Sequence, residues 1–319
     1  MKALLEVLFA GLLALACGAQ AQTFPNKSIR MLVGYAPGGG ADILARLLAL
    51  KLTDALGQQV VVDNRPGAGG TVTANILAKS VADGHTVYFS DAAFVTAPGI
   101  YDQLPYDTIK DFAPVGNTSS LPLAFVVHPT VPAATPGEFI ALLKANPGKY
   151  SYGTPGVGTL HHLTTELLKK QIGLQIAHVP YKGAAPAMTD LMGGHIPIAV
   201  TSATAALAQV KGGKLRIVGL TSRQRVPSAP DIPTIAEAVP GFEVTNDLFV
   251  LAPAGTPSAA IAAWSAALKM VFSQKDLQDS YLAQGALVAW SAPAELSARI
   301  GKDVAKWKAV AKEAGIRGD

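Results

Sequence analysis

A glycine-rich segment between a predicted strand and a predicted helix constrains the fold of this sequence most. Residues 35–42 read YAPGGGAD. An apolar run at residues 29–35 leads into them, and leucines at helical spacing follow from Leu44. A strand that passes into a helix through three glycines leaves unpaired backbone N–H groups at the helix start. Together with the helix dipole, these groups form an anion site that needs no cationic side chain.

A second segment repeats this arrangement. Residues 152–159 read YGTPGVGT, and leucines at helical spacing follow from Leu160. If the two segments belong to different lobes, the two helix starts can hold one carboxylate between them. The sequence therefore predicts a clamp for a small acid.

The remaining chain alternates strand and helix patterns, separated by short joints rich in glycine and proline. Strands at residues 58–63 and 86–90 and helices at residues 71–80 and 136–145 indicate βαβ units and a mostly parallel sheet. Ligands bind at the carboxyl ends of such strands, which places the first glycine segment, Ser90 and Asp91 at one edge.

Two apolar strands, at residues 121–130 and 248–253, are predicted to cross between two lobes. The helix after the second one is predicted to have Thr256 as its N-cap and Pro257 as its first residue. Two crossings suit a hinge that closes on a ligand. We assign residues 22–125 and 249–319 to lobe I and residues 126–248 to lobe II.

The N-terminal residues 1–21 have the pattern of an export signal. Lys2 is followed by an apolar run at residues 7–16 and a small-x-small site that ends at Ala21. We expect cleavage after Ala21 and a protein that is soluble outside the cytoplasm, since no later apolar run is long enough to span a bilayer. The alternative is a lipidated Cys17, whose preceding residues fit that signal loosely. Cys17 is the only cysteine, so cleavage after Ala21 leaves no thiol for a disulfide, a metal or catalysis.

Composition and motifs exclude several functional classes. The 319 residues are 50% hydrophobic, enough for two ordinary domains. The net charge of +4 is scattered, without the basic stripe and interleaved aromatics of a nucleic-acid reader. The phosphate-binding loop, the zinc-protease helix and the hydrolase nucleophile motif are all missing. We therefore predict no cofactor, no metal and no nucleic-acid partner.

Several polar residues have two interpretations. His162 either contacts a ligand at the pocket rim or holds a neighbouring loop carbonyl; a metal site is unfavourable because adjacent helical histidines point about 100° apart. Asp42 either caps free N–H groups, which we favour, or contacts the ligand. Lys182 either faces the cleft or is solvated, and the backbone of residues 183–185 is the better candidate for ligand contact. Arg65 is interpreted as a turn residue outside the site.

Seven motifs in this order and spacing resemble those of the periplasmic solute receptors of tripartite tricarboxylate transporters, the TctC-like or Bug family. The resemblance covers essentially all of the mature chain. The motifs are PGGGAD (37–42), NRPGAGG (64–70), DGHT (83–86), YGTPGVGTLHHL (152–163), HVPYKG (178–183), LMGGHI (191–196) and APAGTP (252–257).

The resemblance implies a two-lobed, periplasmic-binding-protein-like α/β fold with a ligand cleft between the lobes and two hinge-crossing strands. It implies a non-catalytic receptor, expected as a monomer, that binds a small carboxylate and delivers it to the membrane permease subunits. Amino acids, di- or tricarboxylates and aromatic acids are the expected ligands. By position, the residues implied to line the cleft are Tyr35, Gly38, Gly39, Gly40, Ala41, Asp42, Ser90, Thr154, Gly158, Thr159, His162, Gly183, Ala184 and Ala185.

The chain departs from the family pattern at three places. Asp91 follows Ser90 where the family often has asparagine, residues 247–249 replace a common Trp-x-Gly, and Thr73 replaces a glycine. The first two departures favour a ligand whose distal end is positive or hydroxylated. Two other functions remain as alternatives: a secreted hydrolase with Ser90 as nucleophile and His162 as base, and a receptor that signals through a sensor kinase.

Overall fold

The computed structural model describes residues 24–210 and 213–318, so the predicted signal peptide lies outside the described residues. Its strands are β1 (Ile29–Val33), β2 (Val60–Asn64), β3 (Thr86–Ser90), β4 (Phe112–Val127), β5 (Ser151–Thr154), β6 (Ala177–Pro180), β7 (Ile198–Ser202), β8 (Arg216–Leu220), β9 (Thr245–Pro253) and β10 (Leu287–Ser291). Its α-helices are α1 (Gly40–Leu56), α2 (Thr71–Ala78), α3 (Ala93–Ile100), α4 (Pro136–Ala145), α5 (Leu160–Ile172), α6 (Ala184–Met192), α7 (Ala203–Val210), α8 (Ser258–Phe272), α9 (Lys275–Ala283) and α10 (Pro293–Glu313). Within these ranges, no helix combines the length and apolar character needed to cross a membrane.

One long strand, β4, belongs to both halves of the sheet. In the first half, β1 lies between β2 and β3 in parallel, and β9 joins β3 to β4 in antiparallel pairing. From Leu123 onward, β4 pairs instead with β7 and β8, and β5 lies between β6 and β7 in parallel. The chain therefore passes between two α/β lobes along β4.

Strand β9 is the second crossing. It pairs with β4 along its whole length, from Phe112 opposite Pro253 to Pro122 opposite Thr245. The predicted crossings are therefore confirmed, and the first one begins earlier than the sequence indicates. The prediction of a mostly parallel sheet is wrong, because every pairing of β4 and β9 is antiparallel and the sheet is mixed.

Buried apolar side chains on both sides of the sheet hold the helices in place. Leu48 on α1, Trp264 on α8 and Tyr281 on α9 belong to one cluster in the first lobe, and the Trp264 indole donates a hydrogen bond to the Gly84 carbonyl oxygen at 2.9 Å. On the other side, Trp307 of α10 shares a cluster with Phe94 of α3. This packing positions α3, which forms one wall of the cavity described below.

The local sequence patterns give some boundaries correctly and miss others. The strand at residues 86–90 and the helix at residues 136–145 lie where the patterns place them. Thr256 is not an N-cap: its hydroxyl donates backward to the Pro253 carbonyl oxygen, Pro257 is the N-cap, and α8 begins one residue later than predicted. Helix α3 was not predicted, because it contains Pro98 and Gly99, two residues that ordinarily mark a turn.

Candidate functional site

A cavity of about 770 Å³ lies between the two lobes. One wall comes from the first lobe and consists of Tyr35, Gly69, Asp91, Ala93, Thr96, Ala97, Ile100, Tyr101, Arg317 and Gly318, with Asn246 of the crossing strand β9 next to it. The other wall comes from the second lobe and consists of Pro155, Gly156, Val157, Gly158, Thr159, Leu160, His161, Pro180, Tyr181 and Lys182. The volume of the cavity is typical of a binding site for a small organic molecule.

The first glycine segment turns β1 into α1. Gly38 has a φ of +83°, a backbone conformation that glycine adopts without strain, and Gly39 is the extended N-cap residue. The N–H groups of Gly39, Gly40 and Ala41 donate to no acceptor within the described residues. All three glycines of the segment are exposed. The start of α1 therefore offers free amides to an anion.

The Asp42 carboxylate is occupied within this turn. Its Oδ2 accepts from the Gly38 N–H at 2.8 Å and from Arg46 Nε at 2.9 Å, and its Oδ1 accepts from Asn64 Nδ2 at 2.9 Å. The hydrogen bond from Arg46, with further hydrogen bonds from Gly38 and Asn64, lowers the pKa of Asp42 to about 2. These contacts support a structural role of Asp42 in the turn: it accepts from the Gly38 amide just before α1, while the amides of residues 39–41 stay free.

The second glycine segment turns β5 into α5. The Thr159 side chain accepts from the His162 N–H at 3.4 Å and donates to the Gly156 carbonyl oxygen at 2.8 Å, so it caps the helix and closes the loop. The Gly156 N–H donates to Thr154 Oγ1 at 3.3 Å. In the described part of the chain, the N–H groups of Thr159, Leu160 and His161 find no acceptor, and these residues line the cavity.

His162 is buried behind this loop and holds it by a hydrogen bond. The residue is 6% exposed, and its Nδ1 accepts from the Gly158 N–H at 3.2 Å, which leaves Nε2 to carry any proton of the neutral ring. Nε2 lies 3.9 Å from Glu166. The structure therefore gives His162 a loop-holding contact, and the partner is an amide, not the carbonyl that the sequence analysis considered. Since both ring nitrogens face its own lobe, His162 is not placed as a base for Ser90.

A second histidine stacks on the first. The His162 and His178 ring centroids are 3.7 Å apart, and His178 Nε2 lies 2.7 Å from Thr154 Oγ1. Burial lowers the pKa of both rings, and that of His178 falls to about 4. Glu166 completes the cluster by accepting from Tyr152 Oη and Lys169 Nζ, each at 2.7 Å. The second glycine segment thus rests on a buried polar network.

Asp91 is the acidic residue of the cavity wall. It is 7% exposed, its Oδ2 accepts from the Tyr35 hydroxyl at 2.7 Å, and its Oδ1 accepts from the Ala93 N–H at 3.0 Å. Burial raises the pKa of Asp91, and the hydrogen bonds from Tyr35, Ala93 and the Asn246 side chain act against that shift. Burial is the main cause that raises the pKa of Tyr35 well above its ordinary value, and the negative charge of Asp91 is the second.

Three of the predicted site residues, Tyr35, Gly158 and Thr159, line the cavity. Thr154 and His162 lie behind the second glycine loop, and Ser90 is 1% exposed at the end of β3. Gly183 is the N-cap of α6 and its N–H donates to the Pro155 carbonyl oxygen at 2.9 Å. The predicted residues outside the cavity lining are Gly38, Gly39, Gly40, Ala41, Asp42, Ser90, Thr154, His162, Gly183, Ala184 and Ala185. Their contact with a ligand stays a prediction.

Some lining residues were missed by the sequence analysis. Asp91 was noted as a departure but not assigned to the site, although its position after β3 was a usable signal. The cavity residues on α3 were not predicted, because the helix itself was not predicted. Arg317 reaches the cavity because the Gly318 N–H donates to the Ile100 carbonyl oxygen at 2.9 Å, a long-range contact that no local pattern reveals.

The family model described as "Tripartite tricarboxylate transporter family receptor" matches residues 44–316 of this chain. The chain belongs to this receptor family. It is 34% identical to Protein BugT of Bordetella pertussis over 322 residues, which covers 99% of each chain. Proteins of the family bind solutes and are not enzymes, so this receptor is not the hydrolase that the Ser90–His162 alternative required.

Solved structures show the same fold. The periplasmic binding protein BugD is 32% identical to this receptor with a TM-score of 0.74, over 92% of this chain and all of that one. A Rhodopseudomonas palustris protein solved with adipate is 32% identical with a TM-score of 0.77, over 92% and 99% of the two chains. MatC of R. palustris, solved with malate, is 28% identical with a TM-score of 0.73, over 90% and 100%. The two-lobed fold of periplasmic binding proteins is thereby confirmed.

Proposed function

We propose that this receptor captures a small carboxylate in the cavity and binds the acid group through backbone amides of both lobes. The observation that carries this proposal is the set of unpaired N–H groups at Thr159, Leu160 and His161, which line the cavity at the start of α5. A helix start with free amides favours an anion, and hydrogen bonds to a charged acceptor contribute roughly 1.5–3 kcal/mol each. The adipate and malate bound to the solved relatives support a carboxylate ligand.

The first glycine segment completes the grip when the lobes close. Its free amides are exposed, and Tyr35 at its start lines the cavity, while the glycines do not. Rotation about β4 and β9 brings the start of α1 onto a ligand that is already held by α5. The ligand-binding groups of the proposal are therefore the free amides of residues 39–41 and 159–161, with Tyr35 and Gly158 beside them in the cavity wall. The other predicted residues, Gly38, Asp42, Ser90, Thr154, His162 and residues 183–185, are in supporting positions.

The captured ligand is then delivered to membrane permease subunits of a tripartite tricarboxylate transporter. We further propose that the chain is exported to the periplasm, is cleaved after Ala21 and acts as a monomer. Lobe I comprises residues 22–125 and 249–319, and lobe II comprises residues 126–248. Signalling through a sensor kinase would use the same capture step and differs only in the protein that reads the closed form.

The replacement Gly39→Val tests the proposed grip. At Gly39 the nearest atom to an added Cβ is the Ala36 carbonyl oxygen at 3.5 Å, and the φ of −78° suits any residue, so the fold tolerates valine. The larger side chain keeps a carboxylate away from the amides of α1. We expect wild-type dissociation constants on the order of micromolar for the best of a panel of small carboxylates, and at least about tenfold weaker binding by the variant in calorimetry.

Gly137→Val is the matched control. Gly137 is exposed in the first turn of α4, away from the cavity, and an added Cβ meets nothing within 4 Å. We expect the control to bind as the wild type does. Equal affinity of the Gly39→Val variant and the control for the same carboxylate would contradict the proposed grip.

A further inference from the structure

We propose that Asp91 makes this receptor select carboxylates whose other end donates hydrogen bonds, an ammonium group above all, over dicarboxylates. The inference rests on the proposed function, because it assumes that a carboxylate occupies the cavity. It adds the chemistry of the second end of the ligand, which neither the family nor the bound relatives fix for this chain.

Asp91 differs from the other buried aspartates of the described residues, Asp42 and Asp247, which are 2% and 6% exposed. Asp42 has an ion pair with Arg46, and Asp247 has one with Arg299. Asp91 forms no ion pair with any described residue and is held only by neutral donors. Lys182 and Arg317 also line the cavity, but within the described residues neither forms an ion pair with Asp91, and Arg317 lies 3.8 Å from the Asp102 carboxylate. Since a buried carboxylate without a cation is costly, we infer that the missing charge comes from the ligand.

The Asp91 carboxylate has acceptor capacity left for a ligand. An ionised carboxylate has about four lone-pair positions on its two oxygens. The Ala93 N–H donates to Oδ1, the Tyr35 hydroxyl donates to Oδ2, and the Asn246 side chain is a third donor to this carboxylate. An ammonium or hydroxyl group in the cavity can therefore donate to the remaining position of Asp91 without displacing any of these three internal contacts.

The two walls of the cavity would orient such a ligand. The free amides of Leu160 and His161 attract the acid group to the second lobe, and Asp91 accepts from the other end in the first lobe. Ala93, Ala97 and Ile100 of α3 line the same cavity and provide an apolar surface for the carbon chain between the two ends. The arrangement fits an amino acid or a hydroxy acid better than a molecule with two carboxylates.

A dicarboxylate would place its second negative charge against Asp91. Two carboxylates that share a poorly solvated site cannot both ionise without a large penalty, so one must take up a proton first. An ammonium group instead keeps Asp91 ionised and gains a charge-assisted hydrogen bond. The preference for an ammonium group over a second carboxylate should therefore be strongest at neutral pH, where protonation of a carboxylate is unfavourable.

Matched ligand pairs test this selection. Both members of a pair have one carboxylate and a carbon chain of similar length. The other end is an ammonium group in one member and a second carboxylate in the other: 6-aminohexanoate with adipate, and 4-aminobutanoate with succinate. We expect the wild-type full chain to bind the amino member of a pair about ten- to a hundredfold more tightly in calorimetry at neutral pH. The variant Asp91→Asn keeps an oxygen for the Ala93 N–H. In this variant, the ratio of the dicarboxylate's dissociation constant to that of its amino partner should fall at least about tenfold.

Asp54→Asn is the control for the loss of one negative charge. Asp54 is exposed on α1 and does not line the cavity, so this variant should keep the wild-type ratio. If a dicarboxylate binds the wild type as tightly as its amino partner, or if Asp91→Asn leaves the ratio unchanged, the selection by Asp91 is refuted and carboxylate capture stands. If no carboxylate of any kind binds the wild type, the proposed function is refuted and the selection with it.

Discussion

At the scale of single residues, the site depends on which polar groups are occupied and which are free. Asp42 and His162 use their acceptors within their own loops, on Gly38 and Gly158 respectively. The amides of Gly39 and Leu160 have no acceptor within the described ranges. The side chains therefore shape the two glycine loops, and the backbone amides stay free as the hydrogen-bond donors of the proposed carboxylate site.

The stacked pair of histidines predicts a loss of stability in acid. Both pKa values are lowered by burial, His178 to about 4, against an ordinary value of 6.5. The unfolded chain therefore binds protons first as pH falls, so the stability contributed by neutral rings is complete above pH 6.5 and declines between pH 6.5 and about 4. Protonation also places two like charges beside Lys169 and removes the acceptor of the Gly158 N–H, while Glu166 partly compensates.

The replacement His178→Gln measures this contribution. The glutamine amide keeps a polar group toward Thr154, so the fold should be retained. Urea unfolding at several pH values should show a smaller fall in the free energy of unfolding between pH 6.5 and 4 for the variant than for the wild type. Part of the fall should persist, because burial also lowers the pKa of His161 to about 4. Parallel curves for the two proteins would refute the assignment.

At the scale of elements, the cap of each helix start has a distinct role. Thr135 forms a capping box with Glu138 at the start of α4, while Thr159 caps α5 beside the cavity. The two threonines are therefore a matched pair, one structural and one at the binding site.

Replacing each threonine by alanine should separate stability from binding. Loss of an N-cap typically costs about 1 kcal/mol of stability, so both Thr135→Ala and Thr159→Ala should lower the free energy of unfolding by about that amount. Only Thr159→Ala should also weaken carboxylate binding, because it frees the loop that presents the α5 amides. Urea unfolding and calorimetry on the same samples measure both effects. Equal loss of affinity in the two variants would contradict the role given to α5.

Local pattern predicted most elements but not the whole cavity. The glycine segments, β3 and the crossing β9 were readable because turn residues bound short apolar runs. Helix α3 could not be predicted, because its sequence is largely apolar without a polar face and includes Pro98 and Gly99. The place of Arg317 depends on the contact between Gly318 and Ile100, which are far apart in sequence. Local signals thus identify the two glycine loops that we propose to bind the acid, and long-range packing determines the opposite wall of the cavity.

At the scale of the whole molecule, two lobes share the strands β4 and β9 and enclose the cavity between them. Each lobe contributes one helix start with unpaired amides, α1 in the first and α5 in the second. The central claim is that both sets of amides bind one carboxylate when the lobes close.

The backbone amide resonances of the two helix starts, followed by NMR while a carboxylate that binds the wild type is titrated in, test this claim most directly. We predict that the amides of Gly39, Gly40, Leu160 and His161 shift together along one binding curve, and that the amide of Gly137 does not move. Shifts confined to one lobe, or binding that leaves all four amides unchanged, would contradict the two-lobed grip.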